Sequence, residues 1–568
     1  MVERMTFFSF RFKLYATIAV LLNSSAAGSY AQTPTPPPVL IQVHADETTG
    51  AVEPIWTWFG ADEPNYLAAP NGKKLLGELA AVSASPVYFR PHNLLTTGNG
   101  EGSLKWGSTN VYTEKPDGTP VYDFAITDRI FDAMTEAHVR PIVEIGFMPE
   151  ALSAHPEPYR HDFPKGDIFT GWSYPPKDEA AWAKWQKLVE VYTRHLHDRY
   201  GSQVDGWLWE VWNEPDISYW HGTWAEYDRL YDATTAAIRK ALPRAKVGGP
   251  EATGVSDHSE PFLRQFLEHC ARGKNAATGG VGAPLDFISY HPKGHPTFVD
   301  GHVVMSLATQ LRAVERGMKV IASYPEWKNT PIVLGESDPE GCGACLSPQN
   351  GYRNGPLYGA SVTEATMRTL ELARKYGVRV EGAVTWAFEF EDVPAFAAYR
   401  ALATDGIDKP VLNAFRMMGM LGGEWVKTES NGALELDKVV AESVTVSSDV
   451  NAVAARNGKE VDVLVWNYHD AAVDAPLAQT VVALDGLKGS SAVESEFRMD
   501  ATHSNALRVW KDMGSPDAPS ADQLERLEKA GKLEEAVPEH SIETPDGKVN
   551  LALGVPRQGL VLVKLLEK

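Results

Sequence analysis

Trp207-Leu208-Trp209-Glu210-Val211-Trp212-Asn213-Glu214-Pro215-Asp216 decides how the rest of the chain is read. It begins as an apolar run of aromatic and β-branched residues, which suits a buried strand. It ends in Asn213-Glu214-Pro215, where the proline cannot continue a sheet ladder. A carboxylate therefore stands at the C-terminal tip of a strand, beside an amide and under tryptophans. In a parallel α/β barrel that rim is where catalytic groups stand. A carboxyl in a half-apolar site can have its pKa raised and act as an acid near neutrality. The plainer reading is a glutamate that caps the next helix and faces water. Glu-Pro alone is common, but Trp-Asn-Glu-Pro after such a strand is not.

Outward from this strand, strand-like runs alternate with helix-like segments. The candidate strands are Ile55–Phe59, Val87–Phe89, Pro141–Ile145, Gly206–Val211, Lys246–Gly248, Phe287–Ser289, Ile332–Leu334 and Gly382–Trp386. Helical patterns lie between them, as at Glu179–Tyr200, Trp224–Leu242, Pro261–Ala271 and Ser361–Tyr376. This alternation favours a parallel sheet with right-handed crossovers, and eight units favour a closed α/β (β/α)8 TIM barrel over an open sheet. No Gly-x-Gly-x-x-Gly or phosphate loop follows the first strand, which weakens a nucleotide-binding reading.

After about residue 425 the texture changes. Val439–Val446, Asn451–Ala455, Val461–Tyr468, Gln479–Ala483, Glu494–Arg498, Lys548–Leu553 and Gly559–Lys564 read as short strands of a C-terminal β-sandwich. A helical insertion near Ser520–Ala536 interrupts it. Val39–Val52 also reads as a strand, one able to pair with the C-terminal domain. The expected organisation is a signal peptide over 1–31, a Pro-rich leader and N-terminal strand over 32–54, a barrel over 55–424 and a sandwich over 425–568.

The chain has 568 residues, with 43% hydrophobic, 22% charged and a formal net charge of −21. With no basic run to offset it, that acidity argues against nucleic acid or an anionic membrane as partner. Arg4, Arg11 and Lys13 followed by an apolar stretch from Leu14 to Leu22 read as a secretory signal, too short to span a bilayer. Cleavage before Gln32 is expected, giving a periplasmic or secreted protein with no membrane attachment afterwards. Of three cysteines, Cys342 and Cys345 read as a loop-stiffening disulfide. A metal half-site would need a second Cys/His pair, which is not evident, and two free thiols remain the other option.

Polar residues follow the candidate strands in a consistent way. Asp62 and Glu63 come after the first, and Arg90 and His92 after the second. Asn213 and Glu214 come after the fourth, His291 and Lys293 after the sixth, Glu336 and Asp338 after the seventh. Trp386, Glu389, Glu391 and Asp392 end or follow the eighth. In a closed barrel the tips of strands four and seven face each other across the mouth. Glu214 and Glu336 therefore read as the carboxylate pair of a retaining glycoside hydrolase, a reaction that needs no metal or other cofactor. A non-catalytic carbohydrate-binding barrel would keep the aromatics and lose a carboxylate. An esterase would show a Gly-x-Ser-x-Gly elbow, and none stands out.

Further motifs narrow the reading: Phe59-Gly60-Ala61-Asp62-Glu63-Pro64-Asn65, Arg90-Pro91-His92, Glu144-Ile145-Gly146-Phe147-Met148-Pro149, Val333-Leu334-Gly335-Glu336, Gly406-Ile407-Asp408-Lys409-Pro410 and His503-Ser504-Asn505. From about residue 40 to the end the chain resembles glycoside hydrolase family 39, the β-xylosidase and α-L-iduronidase family. The resemblance implies Glu214 as acid/base and Glu336 as nucleophile. It implies that Asn213 contacts the sugar 2-hydroxyl and that Arg90 keeps the nucleophile ionised. His92 and His291 would line the sugar subsite, with Trp386 and Phe147 shaping its floor and wall. Asp62 stands at the right rim to bind hydroxyls, and equally to fix a loop.

The order His291-Pro292-Lys293-Gly294 departs from the xylosidase pattern, which has an aromatic there, and resembles the iduronidase branch. Lys293 and Arg400 would then be paired cations for a sugar carboxylate, unless Glu389 and its neighbours neutralise them. The expected activity is that of a β-1,4-xylosidase acting on oligosaccharides, with an iduronide or arabinoside as the alternative substrate. Residue patterns leave a homo-oligomer open.

Overall fold

The computed structural model describes residues 37–155, 160–161 and 173–568. The signal-like segment and most of the Pro-rich leader lie outside the described residues. Eight parallel strands form the first sheet: β1 Trp58–Ala61, β2 Tyr88–Pro91, β3 Arg140–Ile145, β4 Leu208–Val211, β5 Lys246–Ala252, β6 Phe287–Tyr290, β7 Ile332–Leu334 and β8 Val380–Ala383. They neighbour one another in chain order. The ring closes where Phe59 pairs with Thr385 just past β8 and the Gly60 N–H donates to the Thr385 carbonyl at 3.1 Å.

Strand side chains alternate between two faces. On the outer face Phe59, Phe89, Val143, Val211, Val247, Ile288 and Leu334 are buried against the surrounding helices. On the inner face Trp58, Ile142, Leu208, Phe287 and Val333 form an apolar layer, with Tyr88 stacked on Trp58 at 4.1 Å. Two residues further along the same strands the inward positions are Gly60, Arg90, Glu144, Glu210, Ser289 and Gly335. The barrel interior thus changes from apolar to charged towards the strand C-termini. The flanking helices carry ordinary end signals. Asp178 caps the helix Glu179–Tyr200, and Thr223 with Glu226 forms a capping box at the start of Trp224–Ala241.

The second sheet has nine strands, including the N-terminal strand Val39–Ala51. The others are β9 Glu424–Ser430, β10 Asp449–Asn457, β11 Glu460–Tyr468, β12 Ala478–Asp485, β13 Ser491–Met499, β14 Glu534–Glu543, β15 Val549–Val555 and β16 Gly559–Glu567. Val39–Ala51 runs antiparallel to β9 and parallel to β12. The sheet folds over on itself as a sandwich. Ile41, Val43, Val463, Val482, Leu553 and Val563 come from distant positions in the strand order and share one core.

Two expectations need correction. Val439–Val446 is not a strand, because Leu436–Glu442 forms a helix that buries Val439 and Val440 beside the barrel helix Leu307–Ala322. Leu436, Val439 and Val440 have helical spacing, and tertiary packing overrides the β preference of the valines. The insertion read as one helix to Ala536 is two helices, Ala506–Asp512 and Ala521–Gly531, followed by the edge strand β14. That strand is largely exposed and polar, so no apolar alternation marks it in the sequence.

The barrel helix Pro356–Tyr376 packs on the second sheet. Arg368, buried, donates to Glu364 at 2.8 Å, to Glu371 at 2.8 Å and to Asp449, while the Trp466 indole donates to Glu364. Removing one member of a buried ion pair leaves the others uncompensated. Arg368→Ala is expected to destabilise the protein by about 3–5 kcal/mol. Thermal unfolding checks this, and an unchanged midpoint would show that the tie is dispensable.

Candidate active site

Arg90, at the end of β2, is wholly buried on the barrel axis. Its guanidinium lies 3.3 Å from Glu144, 3.7 Å from Glu251 and 3.3 Å from Glu336, and it donates to Glu210 and, at 3.0 Å, to Asn213 Oδ1. In the β3–β4 register Glu144 stands directly beside Glu210, an unfavourable pairing without the guanidinium between them. Burial opposes the charge of Arg90, but Glu210, Glu251 and Glu144 outweigh it and keep the guanidinium firmly protonated. The guanidinium also lies 4.9 Å from the centre of the Trp386 ring. That ring has room only because residue 60 is glycine: a Cβ there would meet it at 2.3 Å.

His92 sits with Nδ1 3.0 Å from Asp62 and Nε2 3.0 Å from Glu144. Burial alone would strip its extra proton, but Glu144 and Asp62 override this and push its pKa up to about 9. Its Nε2 also comes within 3.0 Å of Arg90, a close approach of two cations made tolerable by the carboxylates on either side. Burial would raise the Asp62 carboxyl, yet Lys105, 3.6 Å away, and His92 hold it below its usual range.

Glu214 follows β4 in a backbone that turns sharply. Trp212 and Glu214 take φ values of 74° and 47°, which is unusual for a bulky residue such as Trp212. Three hydrogen bonds hold this turn: Trp212 N–H to the Ile145 carbonyl at 3.2 Å, the Trp212 indole to the Tyr219 carbonyl at 3.0 Å, and Glu214 N–H to the Glu251 carbonyl at 2.9 Å. The Glu214 carboxylate accepts from His291 Nδ1 at 2.9 Å, and the other ring nitrogen of His291 donates to Glu251 at 2.7 Å. Burial disfavours the imidazolium, but Glu336, Glu214 and Glu251 push its pKa up to about 9.

Glu336, just past β7, is buried beside Lys293 Nζ at 2.6 Å, and the same Nζ donates to Asp338 at 2.9 Å. Burial works against its charge, yet Lys293, His291, His92 and Arg90 together hold its carboxyl well below the usual range. One oxygen of Glu336, one of Glu214 and a nitrogen of His291 lie within 4.8 Å of one another. Among the described residues only this trio has the spacing of a metal site. One wall is aromatic: Phe147 lies 5.3 Å from Trp106, 5.1 Å from Trp212 and 6.0 Å from Tyr219.

Asp62, Arg90, His92, Phe147, Asn213, Glu214, His291, Lys293, Glu336 and Trp386 thus meet at one mouth. Arg400 does not join them. It is buried behind the loop that follows β7, bound to Glu340 and to the Trp386 carbonyl, and reaches Asp338 only at 3.8 Å. Cys342 and Cys345 in that loop form a disulfide. Glu389, itself buried, also turns away, towards the half-buried Glu391 and Asp405, and pairs with neither Lys293 nor Arg400. Sequence reading missed Lys105, Trp106 and Tyr219, which arrive on long loops with no strand-end signal. It also passed over Glu144, Glu210 and Glu251. Charges inside or directly after apolar strands were the available signal for these three.

Burial and the Glu391 charge push the Glu389 carboxyl up to about 9. The folded form therefore keeps a proton that the unfolded chain releases near the ordinary glutamate pKa. Its contribution to stability is complete at acid pH and is lost as pH rises towards 9. Glu389→Gln is expected to raise the thermal midpoint more at pH 8 than at pH 5. A gain of the same size at both values would mean that the carboxyl is ionised in the fold.

Comparison with known proteins agrees with this geometry. The family model for glycosyl hydrolases family 39 matches residues 39–548. A β-xylosidase of Caldicellulosiruptor saccharolyticus is 30% identical over 443 residues, covering 75% of this chain and 79% of its own. An α-L-iduronidase of Mus musculus is 27% identical over 477 residues, covering 79% and 69%. The crystal structure of a monomeric β-xylosidase from Caulobacter crescentus CB15 superposes with a TM-score of 0.73 at 22% identity, covering 93% of this chain and 99% of that one. A parallel barrel with a carboxylate pair at its mouth, and a family match spanning both sheets, place the chain in glycosyl hydrolase family 39, as a hydrolase of O-glycosyl bonds.

Proposed function

We propose that the protein is a retaining exo-β-xylosidase that releases xylose from xylo-oligosaccharides, with Glu336 as nucleophile and Glu214 as acid/base. The observation that carries the mechanism is the approach of the two carboxylates to within 4.8 Å. Retaining enzymes hold the pair about 5–5.5 Å apart, whereas inverting ones leave about 6.5–9.5 Å for a water. Glu336, kept ionised by Lys293, His291, His92 and Arg90, attacks the anomeric carbon while Glu214 protonates the departing oxygen. The C–O bond to the leaving group breaks and an ester to Glu336 forms. Glu214, now a carboxylate, takes a proton from water; the resulting hydroxide adds to the same carbon and the ester bond breaks. Asn213, its Oδ1 held by Arg90, offers its amide N–H to the 2-hydroxyl, a bond that tightens as positive charge develops on the ring.

The xylosidase reading draws support from the β-xylosidase relatives and from the charge around Lys293. That ammonium is already paired with Glu336 and Asp338, and Arg400 lies outside the pocket. A uronate would therefore find Lys293 already neutralised and Arg400 out of reach. The second reading, an α-L-iduronide, is favoured by the presence of Lys293 and Lys105 at the mouth and by the iduronidase relatives. Export is part of the proposal, resting on the amino-terminal charge and apolar pattern. Among the described residues no helix is long and apolar enough to cross a membrane.

Glu336→Ala is expected to abolish turnover without altering the fold. Glu214→Ala should lose about 10²–10⁴-fold on xylobiose, much less on aryl xylosides with good leaving groups, and be rescued by azide. Equal losses on both substrates would remove the acid/base role. Lys293→Ala cannot discriminate substrates, because Lys293 touches the nucleophile and its loss slows every glycoside. A panel of aryl β-xyloside, α-arabinoside, β-glucoside and α-iduronide does discriminate them. The highest kcat/KM is expected on the xyloside, and dominance of the iduronide would replace the substrate assignment.

A further inference from the structure

Glu251 takes no part in the two-glutamate mechanism, yet it is wholly buried and sits at φ 54° just inside the barrel mouth. It holds Glu214 in two ways. Its backbone carbonyl accepts from the Glu214 N–H at 2.9 Å. Its Oε2 accepts from His291 Nε2 at 2.7 Å, and the same imidazole donates from Nδ1 to Glu214 at 2.9 Å. The room for this carboxylate comes from Gly335, because a Cβ there would lie 1.8 Å from Glu251 Oε2 and 3.0 Å from His291 Nε2. Any other residue before Glu336 would force the carboxylate off the imidazole. On its far side the Glu251 carboxylate lies 3.7 Å from the Arg90 guanidinium.

We propose that Glu251 is a positioning residue for glycoside hydrolysis, acting through His291 to aim the imidazole N–H at Glu214 and to offset the imidazolium charge beside it. This rests on the reading of Glu214 as acid/base. An imidazolium 2.9 Å from Glu214 with nothing behind it would favour the carboxylate form and weaken Glu214 as a proton donor. Burial would raise the Glu251 carboxyl, but Arg90 and His291 hold it at about 2, so it stays ionised across any working pH. The His291–Glu251 pair then keeps its hydrogen bond to Glu214 while most of its field cancels. The same N–H steadies Glu214 as an acid in the first half-reaction and as a carboxylate in the second. The other groups facing Glu214 are Glu336, Lys105, Asp216 and Tyr219. Glu336 also faces His291, while Arg90, Glu210 and Tyr227 face Glu251.

Glu251→Gln tests this in the full-length enzyme, since the amide keeps the shape and still accepts from His291 while losing the charge. The basic limb of the kcat/KM–pH profile is expected to move down by about one unit. At neutral pH the rate on xylobiose should fall about tenfold or more, with little change on an aryl xyloside bearing a good leaving group. Glu251→Asp keeps the charge but draws it back from His291. It should lose rate on xylobiose while retaining the wild-type pH limb, and it decides the matter if the glutamine variant does not fold. An unmoved limb in Glu251→Gln, or equal losses on both substrates, overturns the proposal. Azide rescue of Glu214→Ala on the same substrates separates the outcomes. Rescue alongside an uneventful Glu251→Gln removes only the role of Glu251, and absence of rescue removes the acid/base assignment and this role together.

Discussion

A guanidinium enclosed in the middle of a barrel is the constraint on which the rest of this structure depends. Removing Arg90 from water costs several kcal/mol unless carboxylates surround it at close range. Those carboxylates come from β3, β4, β5 and from Glu336, two residues past β7. No two consecutive strands could supply them all, so charge neutralisation at Arg90 and closure of the barrel are one condition. The apolar layer of Trp58, Ile142, Leu208, Phe287 and Val333 lies beneath it and keeps water from reaching the charges from below.

From Arg90 the charge pattern extends upward in alternation. Glu144 and Glu336 take protonated His92 as a further neighbour, Asp62 backs His92, and Lys105 backs Asp62. On the other side Glu251 backs His291, which meets Glu214. Every ionised group at the mouth is thus held by groups of opposite sign that are themselves fixed by burial. Such pre-arranged charge is what a reaction passing through an oxocarbenium-like state requires, because no reorganisation is needed as charge develops. The left-handed backbone at Trp212 and Glu214 belongs to the same arrangement, since it lifts the carboxylate off the strand and over the pocket.

The substrate question turns on second neighbours rather than on residue type. A lysine after the strand-six histidine suggests a receptor for an anionic sugar. In the fold that lysine spends its charge on Glu336 and Asp338, and Asp338 also accepts from the Trp386 backbone at 3.0 Å. Arg400 spends its own on Glu340 and a backbone carbonyl. The same residues read as paired substrate cations become braces that tie the segments after β6 and β8 to the loop after β7.

The sequence by itself determined the barrel, its eight strands, and the two glutamates at opposite tips. Alternation of apolar runs and strand-end polar residues is a local pattern that survives folding, and Trp-Asn-Glu-Pro and Gly-Glu carry their meaning within a few residues. It also marked Arg90, His92, His291 and Trp386, which lie at or just past strand ends. Tertiary structure alone decided the rest. Arg400 and Glu389 follow the same strand as Trp386, and only the path of the loop turns them from the pocket. Lys105, Trp106 and Tyr219 enter it from loops whose course depends on what they pack against. Helix replaced strand at Val439 because the neighbouring barrel helix offered a face to bury against. Glu251 acquires its place through a glycine far from it in the chain. Contacts of this kind depend on closure of the ring, which brings together residues that no local pattern connects.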